Sequence, residues 1–104
     1  MSIVEFLAEN LGPALVALVA GVDAKTVRRW ASTPERQMRQ LSERRLRAAY
    51  QVFQELLPIE ASATIRAWFM GMNPQLGDQA PAEVLAQDQY REVLAAARSF
   101  ASGG

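Results

Sequence analysis

Apolar residues recur along this chain at helical spacing. Ile3, Phe6, Leu7 and Leu11 fall on one side of a helix that Gly12 ends, and Pro13 then occupies the first turn of a second helix running to about Val19. Gly21 breaks that helix. Asp23 follows as an N-cap able to accept from the amide of Lys25 or Thr26, and Val27 and Trp30 give the third helix its apolar side. Ala31-Ser32-Thr33-Pro34 is a stop followed by a restart, with Glu35 in the new first turn. A long helix comes next, apolar at Leu41, Leu46, Ala49, Tyr50, Phe53, Leu56 and Leu57 and closed by Pro58. Its start is open between Pro34 and Leu41. Ile65, Trp68, Phe69 and Met72 are spaced i, i+3, i+4, i+7 in a helix opened by Ser62. Asn73-Pro74 and Gly77 mark a loop, and Pro81 with Glu83 starts a short helix carrying Val84 and Leu85. Asp88 is placed to cap a final helix with Tyr90, Val93, Leu94, Ala97 and Phe100 on one side, before a Ser102-Gly103-Gly104 end. No stretch alternates in the manner of a strand, and no repeat of 20–50 residues is present. The predicted class is all-α.

Composition narrows the chemistry. Half of the 104 residues are hydrophobic and 21% are charged, which is enough apolar surface to offset the entropy of ordering. No apolar run reaches the roughly 18 residues a bilayer span requires. The first dozen residues hold two acids and no basic cluster, so a cytoplasmic protein without a secretory leader is expected. With no Cys and no His, thiol catalysis, imidazole acid–base work and Cys/His zinc sites are excluded. Glu60, Asp78, Glu83, Asp88 and Glu92 form no metal or acid–base motif, and most fall at helix starts, where the macrodipole favours them. No catalytic residue, metal or cofactor is expected, and the chain reads as a binding protein.

A net charge of zero conceals a segregation. Lys25, Arg28, Arg29, Arg36, Arg39, Arg44, Arg45 and Arg47 face only Glu35 and Glu43 within the same 23 residues, about +6 against about −6 elsewhere. Such a block suits a local contact with a polyanion, although a solvated helix face has the same composition. Its position favours the first. The block begins on the second of two short helices joined by a tight turn, the arrangement of a helix-turn-helix. Ala17 supplies the small side chain for a close crossing, Gly21 the left-handed turn, and Val16, Val22, Val27 and Trp30 the inward anchors. An ordinary αα-hairpin would use the same small and branched residues for packing. Lys25, Thr26, Arg28 and Arg29 project away from Val27 and Trp30 and are suited to phosphates and guanine edges, with Arg36 and Arg39 placed for backbone phosphates. One such motif covers little DNA, so a homodimer or higher oligomer is expected, joined through the Leu41–Leu57 helix or the C-terminal helices.

Residues 62–101 carry a more particular pattern: Ile65-Arg66-Ala67-Trp68-Phe69-Met70-Gly71-Met72-Asn73-Pro74-Gln75-Leu76-Gly77, then Pro81-Ala82-Glu83-Val84-Leu85, then Tyr90-Arg91-Glu92-Val93-Leu94. A helix with Trp, an Asn-Pro-x-Leu loop, a Pro-x-Glu-x-Leu helix start and an Ala-rich last helix, in that order, resemble the C-terminal domain of the Xre/MbcA/ParS antitoxin family. The N-terminal half is similar to the Xre-type helix-turn-helix that precedes it, so the resemblance spans roughly residues 10–101. It implies an all-α chain of two regions: a DNA-binding and dimerisation region over residues 1–57 and a toxin-binding region over 58–104. It also implies a type II antitoxin that covers the active site of a RES-domain, NAD-depleting toxin and represses its own operon through operator DNA.

On that reading Trp68, Asn73, Pro74, Leu76 and Arg98 are the expected toxin contacts, Arg98 because an NAD site carries charged groups to be matched. Asn73, Pro74 and Leu76 are equally readable as a structural stop, since Pro fixes its own φ and pushes Asn73 out of helical geometry. Trp68 and Phe69 are adjacent and cannot both point inward, so one is expected to be partly exposed. A stand-alone dimeric helix-turn-helix regulator with no toxin partner is the alternative.

Overall fold

The computed structural model of the chain describes residues 2–32 and 38–103. The helices are α1 (Ile3–Leu11), α2 (Pro13–Ala20), α3 (Ala24–Ser32), α4 (Gln40–Leu56), α5 (Ser62–Met70), α6 (Pro81–Ala86) and α7 (Tyr90–Ala101), with a single 3₁₀ turn at Pro74–Leu76. Among the described residues there is no strand, and the chain is all-α as expected. No described helix is long and apolar enough to cross a membrane.

Local chemistry sets most boundaries. Ser2 and Glu5 close a reciprocal capping box on α1, each side chain taking the other's backbone N–H at 3.1 and 2.9 Å. Gly12 ends α1 at φ +90°, and Pro13 starts α2 without wasting an amide donor. Gly21 is left-handed at φ +80°, and its amide and that of Val22 both donate to the Ala17 carbonyl, closing α2. The Asp23 carboxylate accepts from the Thr26 amide at 2.8 Å and so starts α3. α4 begins at Gln40, close to Leu41. The proposed restart at Pro34 and Glu35, and Arg36 with it, lie outside the described residues.

The core is one connected cluster drawn from all seven helices, with Leu7, Leu11, Val16, Val19, Val27, Leu46, Phe53, Leu56, Ile65, Phe69, Leu85 and Val93 among its buried members. α4 is its spine. Ser42, Leu46, Ala49, Phe53 and Leu56 alternate at spacings of four and three, a stripe against which α1, α2, α6 and α7 pack. Leu41 lies one residue before Ser42, about 100° of helix rotation off that stripe, and Leu57 falls past the end of α4 as its C-cap. Both are therefore exposed, contrary to their expected place in the core. The aromatic rings form a line through the molecule. Tyr50 and Phe53 meet Phe6 edge-on at 5.3 and 5.2 Å, Phe53 stacks near Phe69 at 6.4 Å, and Phe69 meets Trp68 edge-on at 5.5 Å.

Two further expectations are corrected. Met72 is 81% exposed rather than inward, because α5 stops at Met70 and Gly71 turns extended ahead of Asn73-Pro74. Asp88 does not cap α7. It sits in the left-handed region at φ +65°, where an N-cap cannot be built, and Gln89 takes the cap position. Phe53 joins the N-terminal aromatics to Phe69, so Phe53→Ala is expected to cost about 3–5 kcal/mol. Urea unfolding followed by circular dichroism measures it.

Candidate nucleic-acid and partner interfaces

α3 presents a basic face because its apolar residues are confined to one side. Val27 is fully buried and Trp30 nearly so, which turns Lys25, Arg28 and Arg29 outward, all exposed, with Thr26 half-buried at the margin. Thr26, Arg29 and an edge of Trp30 also line a groove of about 600 Å³ whose other walls are Gly21, Val22, Arg39 and Ser42. The structure thus separates the two arginines that the sequence presents as a pair. Arg29 faces the groove with Arg39, whereas Lys25 and Arg28 do not line it. Asp23, at the start of α3, is held below the ordinary carboxylate value by its bonds to Thr26, with weaker contributions from Arg29 and Lys25.

The rest of the basic block does not form one surface with α3. Arg47 pairs with Glu43 at 2.9 Å along α4. Arg45 pairs bidentately with Asp88, Nε to Oδ1 at 2.9 Å and Nη2 to Oδ2 at 3.2 Å. Lys25, Arg28, Arg29 and Arg39 have no ion-pair partner among the described residues. The cationic surface is accordingly smaller than the sequence count suggests and centres on α3 and the start of α4.

A second surface forms where α5, the Asn73–Gln79 loop and α7 meet. Trp68, Met72, Asn73, Pro74, Gln75, Ala96, Phe100 and Gly103 line a groove of about 610 Å³. Phe69 is buried and Trp68 half-buried, the division expected of adjacent aromatics, and Trp68 extends the aromatic line to Phe100 at 6.3 Å. The loop is bonded to itself. Asn73 Oδ1 accepts from the Gln75 amide at 2.9 Å, Asn73 exchanges backbone bonds with Asp78 and Gln79, and Gln75 Nε2 donates to Ser99 Oγ on α7 at 2.9 Å.

Of the residues singled out for this region, Trp68, Asn73 and Pro74 come together in the groove. Leu76 does not line it but packs half-buried on the core, and Arg98 pairs instead with Glu55 of α4 at 3.3 Å. Met72, Ala96 and Phe100 were not foreseen as site residues. For Ala96 and Phe100 the i, i+4 spacing on α7 was a signal, whereas Met72 reaches the groove because the chain leaves α5 at Gly71.

No family model matches the chain, and no curated protein does. A solved structure does. One chain of the crystal structure of the M. tuberculosis MbcT–MbcA toxin–antitoxin complex superposes with a TM-score of 0.80 at 24% identity, over 98% of this chain and 93% of that one. The likeness is one of fold, and residues 62–101, which carry the pattern that resembles the Xre/MbcA/ParS antitoxins, lie within a superposition that spans nearly the whole chain.

The carboxyl of Asp88 is drawn from the ordinary 3.8 to about 2, first by the Arg45 guanidinium and then by the Tyr90 hydroxyl, which donates at 2.8 Å. A depressed value means the pairing stabilises the fold above the ordinary pKa, and that contribution is lost as pH falls through the folded value. A carbon NMR titration of Asp88 is expected to show a midpoint near 2, moving back toward 3.8 in Arg45→Gln.

Proposed function

We propose that the protein is the antitoxin of a type II toxin–antitoxin module, a regulatory binding protein without chemistry of its own. The single observation that carries this reading is the near full-length match in fold to a chain of the MbcT–MbcA toxin–antitoxin complex. The groove around Trp68, Pro74 and Phe100 supports it. Rigid aromatic anchors beside a self-bonded loop are what a high-energy protein interface is built from. In this reading the C-terminal groove seats a RES-domain, NAD-degrading toxin and covers its active site, while α3 binds operator DNA in a dimer or larger complex and represses the operon.

Arg98 has a lesser place in this reading than its charge suggested. It is tied to Glu55, and the groove's named walls carry no charged side chain. Neutralisation then rests on apolar anchoring more than on mimicry of the charges around NAD. Trp68→Ala combined with Phe100→Ala is expected to weaken toxin binding by at least about 2 kcal/mol, the level of a hot spot, with DNA binding unchanged. Calorimetry with the co-transcribed neighbouring polypeptide measures the loss. A chain that co-purifies with no partner and elutes as a plain homodimer would overturn the antitoxin reading in favour of a stand-alone regulator.

For the DNA-binding half, Arg28→Ala with Arg29→Ala is expected to abolish operator binding while helicity and toxin neutralisation persist. Log affinity against log salt is expected to fall by about 0.9 for each phosphate neutralised. A flat salt dependence in fluorescence anisotropy would remove α3 and the start of α4 as the contact surface.

A further inference from the structure

The reading frame of α3 is held from the far half of the chain. Arg45 lies on α4, with its side chain only 14% exposed, between two distant pieces of backbone. On one side is the helix-turn-helix turn: a methyl group placed on Gly21 would lie 2.9 Å from Arg45 Nη1. On the other is the α6–α7 junction, where Asp88 grips the same guanidinium through two hydrogen bonds. Asp88 is itself held in an unusual backbone state, φ +65°, and takes a third bond from the Tyr90 hydroxyl. One turn earlier on α4, the buried Ser42 hydroxyl donates to the Ala20 carbonyl at 2.9 Å, fastening the last residue of α2. The short turn from Ala20 to Asp23 thus has α4 side chains against it at two points. One of these is stationed by a carboxylate 43 residues further along the chain.

We infer that Arg45 and Asp88 are positioning residues for the DNA-reading helix: Asp88, from the partner-binding half, fixes the guanidinium that backs the Gly21 turn and thereby sets the angle at which α3 leaves it. The inference rests on the DNA-binding reading of α3. A charge-assisted bidentate pair is directional, so it resists the sliding that apolar contacts allow. Gly21 is required at this place twice over. A side chain there would be strained at φ +80° and would displace the guanidinium. A consequence is that the two halves are not independent modules, since the turn of the first is completed by an acid of the second.

The test uses the full chain and the variants Asp88→Asn and Tyr90→Phe. Asp88→Asn removes the charge at little change of shape, and Tyr90→Phe removes only the hydroxyl that donates to Asp88. Amide hydrogen exchange, anisotropy with operator DNA at several salt concentrations, and calorimetry with the toxin are read together. Asp88→Asn is expected to speed exchange at Gly21 and Val22 and to weaken operator binding by about tenfold, the scale of a lost hydrogen bond to a charged group. The salt slope stays unchanged, because no phosphate contact is lost, and toxin affinity stays unchanged as well. Tyr90→Phe is expected to lie between the parent and Asp88→Asn. Faster exchange spread evenly over the core amides would mark general destabilisation and overturn the inference. Unaltered operator affinity in Asp88→Asn, with the parent binding, would overturn it too and leave the DNA-binding reading standing. A parent that binds no DNA sinks that reading and the inference with it.

Discussion

A helix of 17 residues in so short a chain must serve as packing surface for more than one neighbour, and α4 is in contact with α1, α2, α6 and α7. Its apolar stripe supplies most of the attraction, yet apolar burial has no preferred direction and would tolerate a rotated or shifted helix. Polar ties remove that freedom. The Ser42 hydroxyl is 3% exposed and would be left without a partner if α4 slid against α2, a loss of about 1–3 kcal/mol for a buried polar group. Arg45 imposes the same demand toward α7. Two hydrogen-bonded contacts on one side of one helix therefore set the register that the hydrophobic contacts then fill.

That register also sorts the charges. Arg45 and Arg47 look in the sequence like part of a cationic block, but one is consumed by Asp88 and the other by Glu43. Arg98 is drawn to Glu55. Within the basic block, the outward cations without an ion-pair partner among the described residues are Lys25, Arg28 and Arg29 on α3, with Arg39 and Arg44 at and near the start of α4. At physiological ionic strength the screening length is about 8 Å, so a polyanion senses such a local group of charges and not the net charge of zero. Neutralising cations inside the fold concentrates the cationic field on the helix whose apolar side is pinned by Val27 and Trp30.

Short-range chemistry was the legible part. Gly12-Pro13, Gly21, Asp23, Asn73-Pro74 and Pro81 each act on backbone within a few residues, and the helices begin and end close to where those residues imply. The all-α class followed from periodicity alone. The misreadings have a common physical origin. Asp88 looked like a cap because acids precede helices, but its partner lies 43 residues away, and a charged, nearly buried guanidinium outcompetes a backbone amide. Arg98, read as a partner contact from its charge, is paired here with Glu55, which also stands 43 residues off. Leu41 is an apolar residue on the wrong side of a stripe that begins at Ser42, a polar residue that hydropathy cannot mark as buried, and Leu57 stands past the last turn of α4. Within the groove, Trp68 and Pro74 were visible from their motif. Met72, Ala96 and Phe100 join them only through the packing of α7 on the rest of the fold.

How firmly the groove is built bears on what it can do. Its floor is the end of an aromatic line that starts at Tyr50 and passes through the core, so Trp68 cannot tilt without disturbing Phe69, which is fully buried. Its loop wall satisfies its own backbone through Asn73, Asp78 and Gln79, and Gln75 ties that wall to α7. These parts are ordered before any partner arrives, and the entropy of fixing them is not charged to binding. Met72 is the exception, a flexible, polarizable side chain standing free at the rim. A rigid aromatic floor with one adaptable edge fits the partner-binding role proposed for the groove, where a tight contact must still adjust to the partner's contour. The loop's Asn-Pro adds to that rigidity: by ending α5 it turns Met72 out, and by bonding to itself it keeps the wall in place. In the proposed reading, the structural stop and the partner contact offered by Asn73 and Pro74 are therefore one arrangement rather than competing ones.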